Sequence, residues 1–226
     1  MNDNDPVRGK VIYILVLVTI VQFIYPITEN NAAIPLIIYQ TLYATLMVAG
    51  FVVARGHTIQ RRLLMILGPV WFISVTVYTF NQDVFWAHLL HYPAYALYQG
   101  IVAWSLFVYI FSSRAVTRDV IFAAVAVYLL LGAVFVPIYG VVETLTVELN
   151  DQHAFSDARV GPDDVFPWQT LMYYSYATLT TLGYGDVLPL TATARSIASV
   201  EAATGVLYTT VIMARLVGLY AAEQEP

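Results

Sequence analysis

The sequence predicts an all-α membrane protein, and three observations carry that expectation. Of its 226 residues 59% are hydrophobic and only 11% charged, against roughly 25% charged residues in a soluble domain. The apolar residues gather into six stretches, at about 9–27, 34–54, 63–80, 92–111, 119–141 and 194–219, each near the roughly 20 residues that cross a hydrocarbon core as helix. The basic residues fall on one side of those stretches.

Each element has its own justification. The first span follows Arg8 and Lys10; its apolar run is too long for a signal peptide, despite a weak cleavage site at Ala32 and Ala33, and it reads as a retained helix. Arg55, Arg61 and Arg62 join spans two and three, Arg114 and Arg118 join four and five, and Arg215 ends span six, so eight of the ten basic residues share one face. The positive-inside rule makes that face cytoplasmic, with both termini on it, in the plasma or inner membrane. The opposite loops carry Glu29 and Asp83. Between spans five and six lie Glu143, Glu148, Asp151, Asp157, Asp163 and Asp164, with only Arg159 against them. That loop is either a solvated outer loop or a negative vestibule that concentrates cations, and the two readings are compatible.

Residues 1–118 form one expected unit, a four-helix transmembrane bundle; residues 119–226 form the other. Span four, YPAYALYQGIVAWSLFVYIF, has no Lys or Arg, and spans one to three have no acid to pair with one. Each charge moved through the membrane field is worth about 2.3 kcal/mol per 100 mV, so a chain without such charges has weak voltage dependence. The bundle reads as a peripheral support facing lipid, with Tyr13, Tyr25, Trp71 and Trp86 as interfacial anchors. His88 and His91, near Asp83, read as interfacial loop residues; metal binding or pH sensing is the functional alternative. His153 is expected outside and His57 inside. With no cysteine, disulfides and thiolate chemistry are excluded. Nothing in the sequence points to nucleic acid or an organic cofactor.

TLTTLGYGDVLP, residues 178–189, interrupts this apolar pattern after a short amphiphilic segment at 167–180. Non-helical backbone at membrane depth is tolerated only where protein buries it or where it lines a watery path. Gly183 and Gly185 permit positive φ without a Cβ clash. Alternating handedness from Thr181 to Gly185 turns successive carbonyls to one side, and a ring of carbonyls replaces the hydration shell of a potassium ion. One chain forms one wall of such a ring.

TTLGYGD resembles the selectivity filter of tetrameric potassium channels. Its surroundings match that family too: a short helix from Pro167 to Thr180, paired aromatics Tyr173 and Tyr174, Arg195 nine residues after Asp186, and Gly205 at the place of a hinge glycine. The resemblance covers about residues 119–220. It implies six transmembrane helices with a re-entrant pore helix and filter loop, and a homotetramer in the bilayer. K+ is then the permeant ligand, bound by the carbonyls of Thr181, Leu182, Gly183 and Tyr184, with Gly185 completing the run and the Thr181 hydroxyl as innermost ligand. Leu182 stands where valine is commoner, its side chain expected to pack behind the filter. Thr180, Asp186, Tyr173 and Tyr174 are implied as filter support. The short helix aims its C-terminal end at the ion path, where its dipole favours a cation.

Glu201 is the one deep carboxylate of span six. A charge there costs a few kcal/mol, so it is expected paired or protonated within protein. Glu201, Gly205, Tyr208 and Ile212 share a helical stripe, and Val206, Thr209 and Met213 form a second, roughly 110° away. By resemblance the second stripe faces a water-filled cavity, so Glu201 is expected beside it, bonded to Ser175, Thr178 or Thr180 and bracing the filter; the alternative has Glu201 facing cavity water.

Other classes fit less well. GYGD also resembles the GxGD run of intramembrane aspartyl proteases, but those need a second facing aspartate at depth, and no span supplies one. A single-chain transporter of the same pore type needs four filters. A non-conducting, pore-like subunit remains an alternative.

Overall fold

The computed structural model describes residues 11–24, 33–53, 58–81, 84–161 and 164–224. Arg8, Lys10, Tyr25, Glu29, Ala32, Arg55, His57, Asp83 and Asp163 lie outside them. The order is α1 (Val11–Phe23), α2 (Ala33–Val53), α3 (Thr58–Phe80), α4 (Phe85–Ser112), α5 (Arg118–Asn150), β1 (Phe155–Asp157), α6 (Trp168–Leu179), β2 (Val187–Pro189) and α7 (Ala192–Gln224). Among the described residues four helices are long and apolar enough to cross a membrane: α3, α4, α5 and α7 over Ala192–Ala222. The described part of α1 has 13 residues and is apolar; α2 has 21.

Local chemistry sets the boundaries of α5. Thr117 caps its start by accepting from Val120 N at 3.3 Å, with Asp119 in the positive first turn. Asp151, left-handed at φ 54°, ends it. The helix runs nine residues past the expected 141, to Asn150, because Glu143, the acid that marked the loop, is buried against its own side of the fold.

Two apolar clusters share α5. The first joins α1 to α5 around Trp71, which is fully buried and stacks on Tyr98 (4.7 Å, 14°) and Tyr95 (5.8 Å, 9°). Trp71 is therefore a core residue and not an interfacial anchor; Tyr13 and Trp86, 73% and 70% exposed, stay on the surface. His88 and His91 also depart from expectation. α4 starts at Phe85, so both are helical, and both are buried. His91 lies between Tyr78 (4.8 Å) and Tyr95 (5.7 Å), where stacking replaces the solvent that a loop position would offer. The second cluster, around Tyr139, Phe155, Leu171, Met172, Tyr174 and Val187, seats α6 against α5 and a small antiparallel sheet. In that sheet β1 pairs with β2 in the register Phe155↔Pro189, Ser156↔Leu188 and Asp157↔Val187, so the α5–α6 loop is hydrogen-bonded to the strand that follows the GYGD run.

Candidate functional site

α6 ends in a cap that the sequence did not advertise. Thr181 is left-handed at φ 57°; its N–H reaches Thr178 O at 3.0 Å, and Leu182 N reaches Ala177 O at 2.8 Å. These paired bonds make a Schellman ending with threonine where glycine is usual. Gly183 (φ 56°) and Gly185 (φ 79°) are left-handed as well. Positive φ thus recurs at 181, 183 and 185, and Leu182 and Tyr184 do not share it. The whole run from Thr180 to Asp186 is exposed in the single chain. Leu182 is 53% and Tyr184 69% exposed, so within one chain about half of each side chain or more is uncovered.

Both ends of the run are tied. Thr180 turns its hydroxyl back to Tyr176 O (2.7 Å). Beyond Gly185, Asp186 accepts the Tyr173 hydroxyl on both carboxylate oxygens (3.0 and 2.9 Å) and Val187 N on Oδ1 (3.2 Å). Arg195, in the first turn of α7, donates from Nε to Pro189 O (3.0 Å). Tyr174 points the other way, edge-on to Tyr139 (5.1 Å) and Phe155 (5.2 Å).

Behind α6 stands Glu201, with no exposed surface. Ser175 Oγ lies 2.5 Å from Oε1 and the Tyr139 hydroxyl donates to Oε2. The carboxyl therefore joins α7 to α6 and α5 and does not face open water. Its second partner is Tyr139, 62 residues away, in place of Thr178 or Thr180; no local pattern signals so distant a pairing. Ser175 Oγ also lies 2.9 Å from Gly132 O, so its single hydrogen has two acceptors within reach.

The α7 stripes separate cleanly. Glu201, Gly205 and Ile212 are buried and Tyr208 is half-buried, its hydroxyl on Ala124 O (2.7 Å). Val206, Thr209 and Met213 are exposed in the single chain. Through Gly205 the helix runs unbroken, and a Cβ there would stand 2.1 Å from Leu179 O. The position admits only glycine because α7 meets the last helical carbonyl of α6, which also accepts from the Tyr128 hydroxyl (3.3 Å). We expect Gly205→Ala to destabilise the chain: overpacking costs about 1–3 kcal/mol, set against about 1 kcal/mol from alanine's better helix propensity. Thermal unfolding in detergent checks this, and a melting temperature at or above that of the parent contradicts the close approach.

The outer acidic group is less of an open vestibule than its composition predicts. Glu143 is buried, paired with His153 Nδ1 and accepting Ala154 N (2.8 Å). Asp157 is buried and grips Arg159, with Nη2 at 2.7 Å and Nε at 3.1 and 3.2 Å. Those hydrogen bonds hold its carboxyl below the usual aspartate range. Asp164 caps Gly161 N (2.9 Å). Glu148 and Asp151 remain exposed.

Residues 123–221 match an ion channel family. The match runs from α5 into the last turns of α7, and so includes the GYGD run and every α6 and α7 contact above. Together with the apolar helices it supports an ion-channel function for a multi-pass membrane protein; channel families of this kind are in general non-enzymatic and oligomeric. No curated protein and no solved structure matches the chain. Among the described residues no cluster of His, Asp and Glu suits a metal ion.

Proposed function

We propose that the chain is a potassium-selective channel, four copies surrounding one axis with residues 181–185 as the filter. The observation that carries this reading is the recurrence of positive φ at Thr181, Gly183 and Gly185 in an exposed run directly after α6. Alternating handedness is what turns consecutive carbonyls toward one side, and such carbonyls replace water around K+. α6 is then the pore helix, α7 the inner helix, and Val206, Thr209 and Met213 line the cavity.

Assembly into a homotetramer is favoured by what the single chain leaves uncovered. Val200, Val206, Leu207, Val211, Met213 and Val217 of α7 are each at least half exposed, although the helix is apolar enough to span a membrane. Leu182 and Tyr184 join them. Neighbouring copies would cover part of this surface and close the carbonyl ring. Tyr173 and Asp186 would hold the outer end of each filter strand, and the 1–118 bundle would sit outside the pore.

Purified protein in liposomes tests the reading. Potassium-driven flux should exceed sodium flux by about two orders of magnitude or more, the discrimination expected when a few kcal/mol separate the ions. Equal fluxes, or none from a verified tetramer, would remove it.

A further inference from the structure

The cytoplasmic end of α7 carries a contact that neither the filter nor the tetramer explains. Arg215 Nη2 lies 2.6 Å from Phe111 O, 2.9 Å from Ser113 O and 3.2 Å from Ile110 O. Its guanidinium also sits over the Phe111 ring, 4.6 Å from the centroid. Ile110 and Phe111 belong to the last turn of α4, and Ser113 is its C-cap. The last carbonyls of a helix have no partner within it and form its negative end, so Arg215 caps α4 from another helix. All three carbonyls meet one nitrogen, and what the flat guanidinium adds over an ammonium is its stacking on the Phe111 ring. Otherwise α7 packs chiefly on α5 and α6.

We propose that Arg215 is a positioning residue that ties the inner end of α7 outward to the four-helix bundle, holding the cytoplasmic mouth of the pore open. Direction follows from helical geometry. Met213 lies on the stripe assigned to the cavity, and Arg215, two residues on, projects about 200° around the helix from it, away from the axis. A tie on that side restrains α7 from moving inward. The bundle, which has no sensor charges in span four, thereby gains a role as a mechanical anchor. This inference rests on the channel reading above.

The test compares Arg215→Gln, Arg215→Lys and Phe111→Leu in the full-length tetramer by single-channel recording in planar bilayers. Arg215→Gln should lower open probability at least tenfold while single-channel conductance and the K+/Na+ permeability ratio stay as in the parent. Arg215→Lys should fall between the two, and Phe111→Leu should leave most of the tie intact. A second readout does not need current: spin labels at Glu223, placed on the parent and on Arg215→Gln, report the distance between inner ends of α7, which should shorten in the variant. Open probability unchanged or raised, with unchanged label distances, overturns the proposal; so does a changed permeability ratio, which would place Arg215 on the ion path. If Arg215→Gln does not assemble, Arg215→Lys decides by the same two measurements. Absence of any potassium current from the parent instead removes the channel reading, and is distinguishable from these outcomes.

Discussion

Gly183→Ala should abolish conduction by the proposed potassium channel while leaving the proposed tetramer folded. The two halves of that expectation come from different features of one residue. Gly183 sits at φ 56°, where a residue with a Cβ is disfavoured by roughly 1–2 kcal/mol. The Cβ itself meets nothing within 4 Å in the single chain, so no packing cost is added and the chain folds. In the proposed tetramer four copies would bring the strain on one ring to about 4–8 kcal/mol. The backbone relieves it by leaving the left-handed region, which turns the carbonyl between Gly183 and Tyr184 off the axis. At roughly 1.4 kcal/mol per factor of ten, flux should fall by about three orders of magnitude or more. Liposome flux, with size-exclusion chromatography on the same preparation, makes the measurement. Selective current retained in the variant contradicts the filter assignment, and a variant that fails to assemble shows a packing role that the open space around Gly183 argues against.

Glu201→Ala should cause the largest loss of stability among single substitutions of α7. The side chain is fully buried and accepts from Ser175 and Tyr139, which are themselves buried. Removing it strands the Tyr139 hydroxyl, at about 1–3 kcal/mol when unpaired, and leaves a cavity besides, while Ser175 keeps Gly132 O as its acceptor. The expected loss is about 3–5 kcal/mol per chain, read as a lowered unfolding temperature and faster loss of selective flux. Glu201→Gln should be far milder. Its amide keeps an oxygen for Tyr139 and offers N–H hydrogens to Ser175 Oγ, which remains free to donate to Gly132 O. The two variants together separate bracing from simple electrostatics. If Glu201→Gln lowers conductance while leaving thermal stability and filter integrity as in the parent, the carboxyl acts through its charge and not through its bonds.

Much of the candidate site was legible in the residues. The glycines at 183 and 185 announced positive φ, because no other residue adopts it so freely. The 3.6-residue period of α7 separated the buried stripe of Glu201, Gly205 and Ile212 from the exposed stripe of Val206, Thr209 and Met213, because helical geometry is a local rule. The cost of a deep carboxylate required a partner for Glu201, and Ser175 was among the hydroxyls within reach. Apolar length located the helices α3, α4, α5 and α7 to within several residues at each end. The ends themselves were harder: α4 begins at Phe85 and α5 ends at Asn150 because His88, His91 and Glu143 lower local hydropathy yet find buried partners that hydropathy does not see.

What only the tertiary structure decided has a common cause, in contacts between segments distant in the chain. Tyr139 meets Glu201 across 62 positions, Arg215 meets Phe111 O across 104, and β1 joins β2 by backbone groups that carry no side-chain signature. Trp71 and His91 read as interfacial from residue type alone, but aromatic neighbours on α4 and α3 draw both into the bundle. Thr181 holds a left-handed φ that its own side chain disfavours, because the Schellman bonds to Thr178 and Ala177 fix it there. Gly205 shows the division within one residue. Its lack of a Cβ is written in the sequence, but the reason for it, a carbonyl of α6 standing 2.1 Å from where that Cβ would be, exists only once two helices have packed.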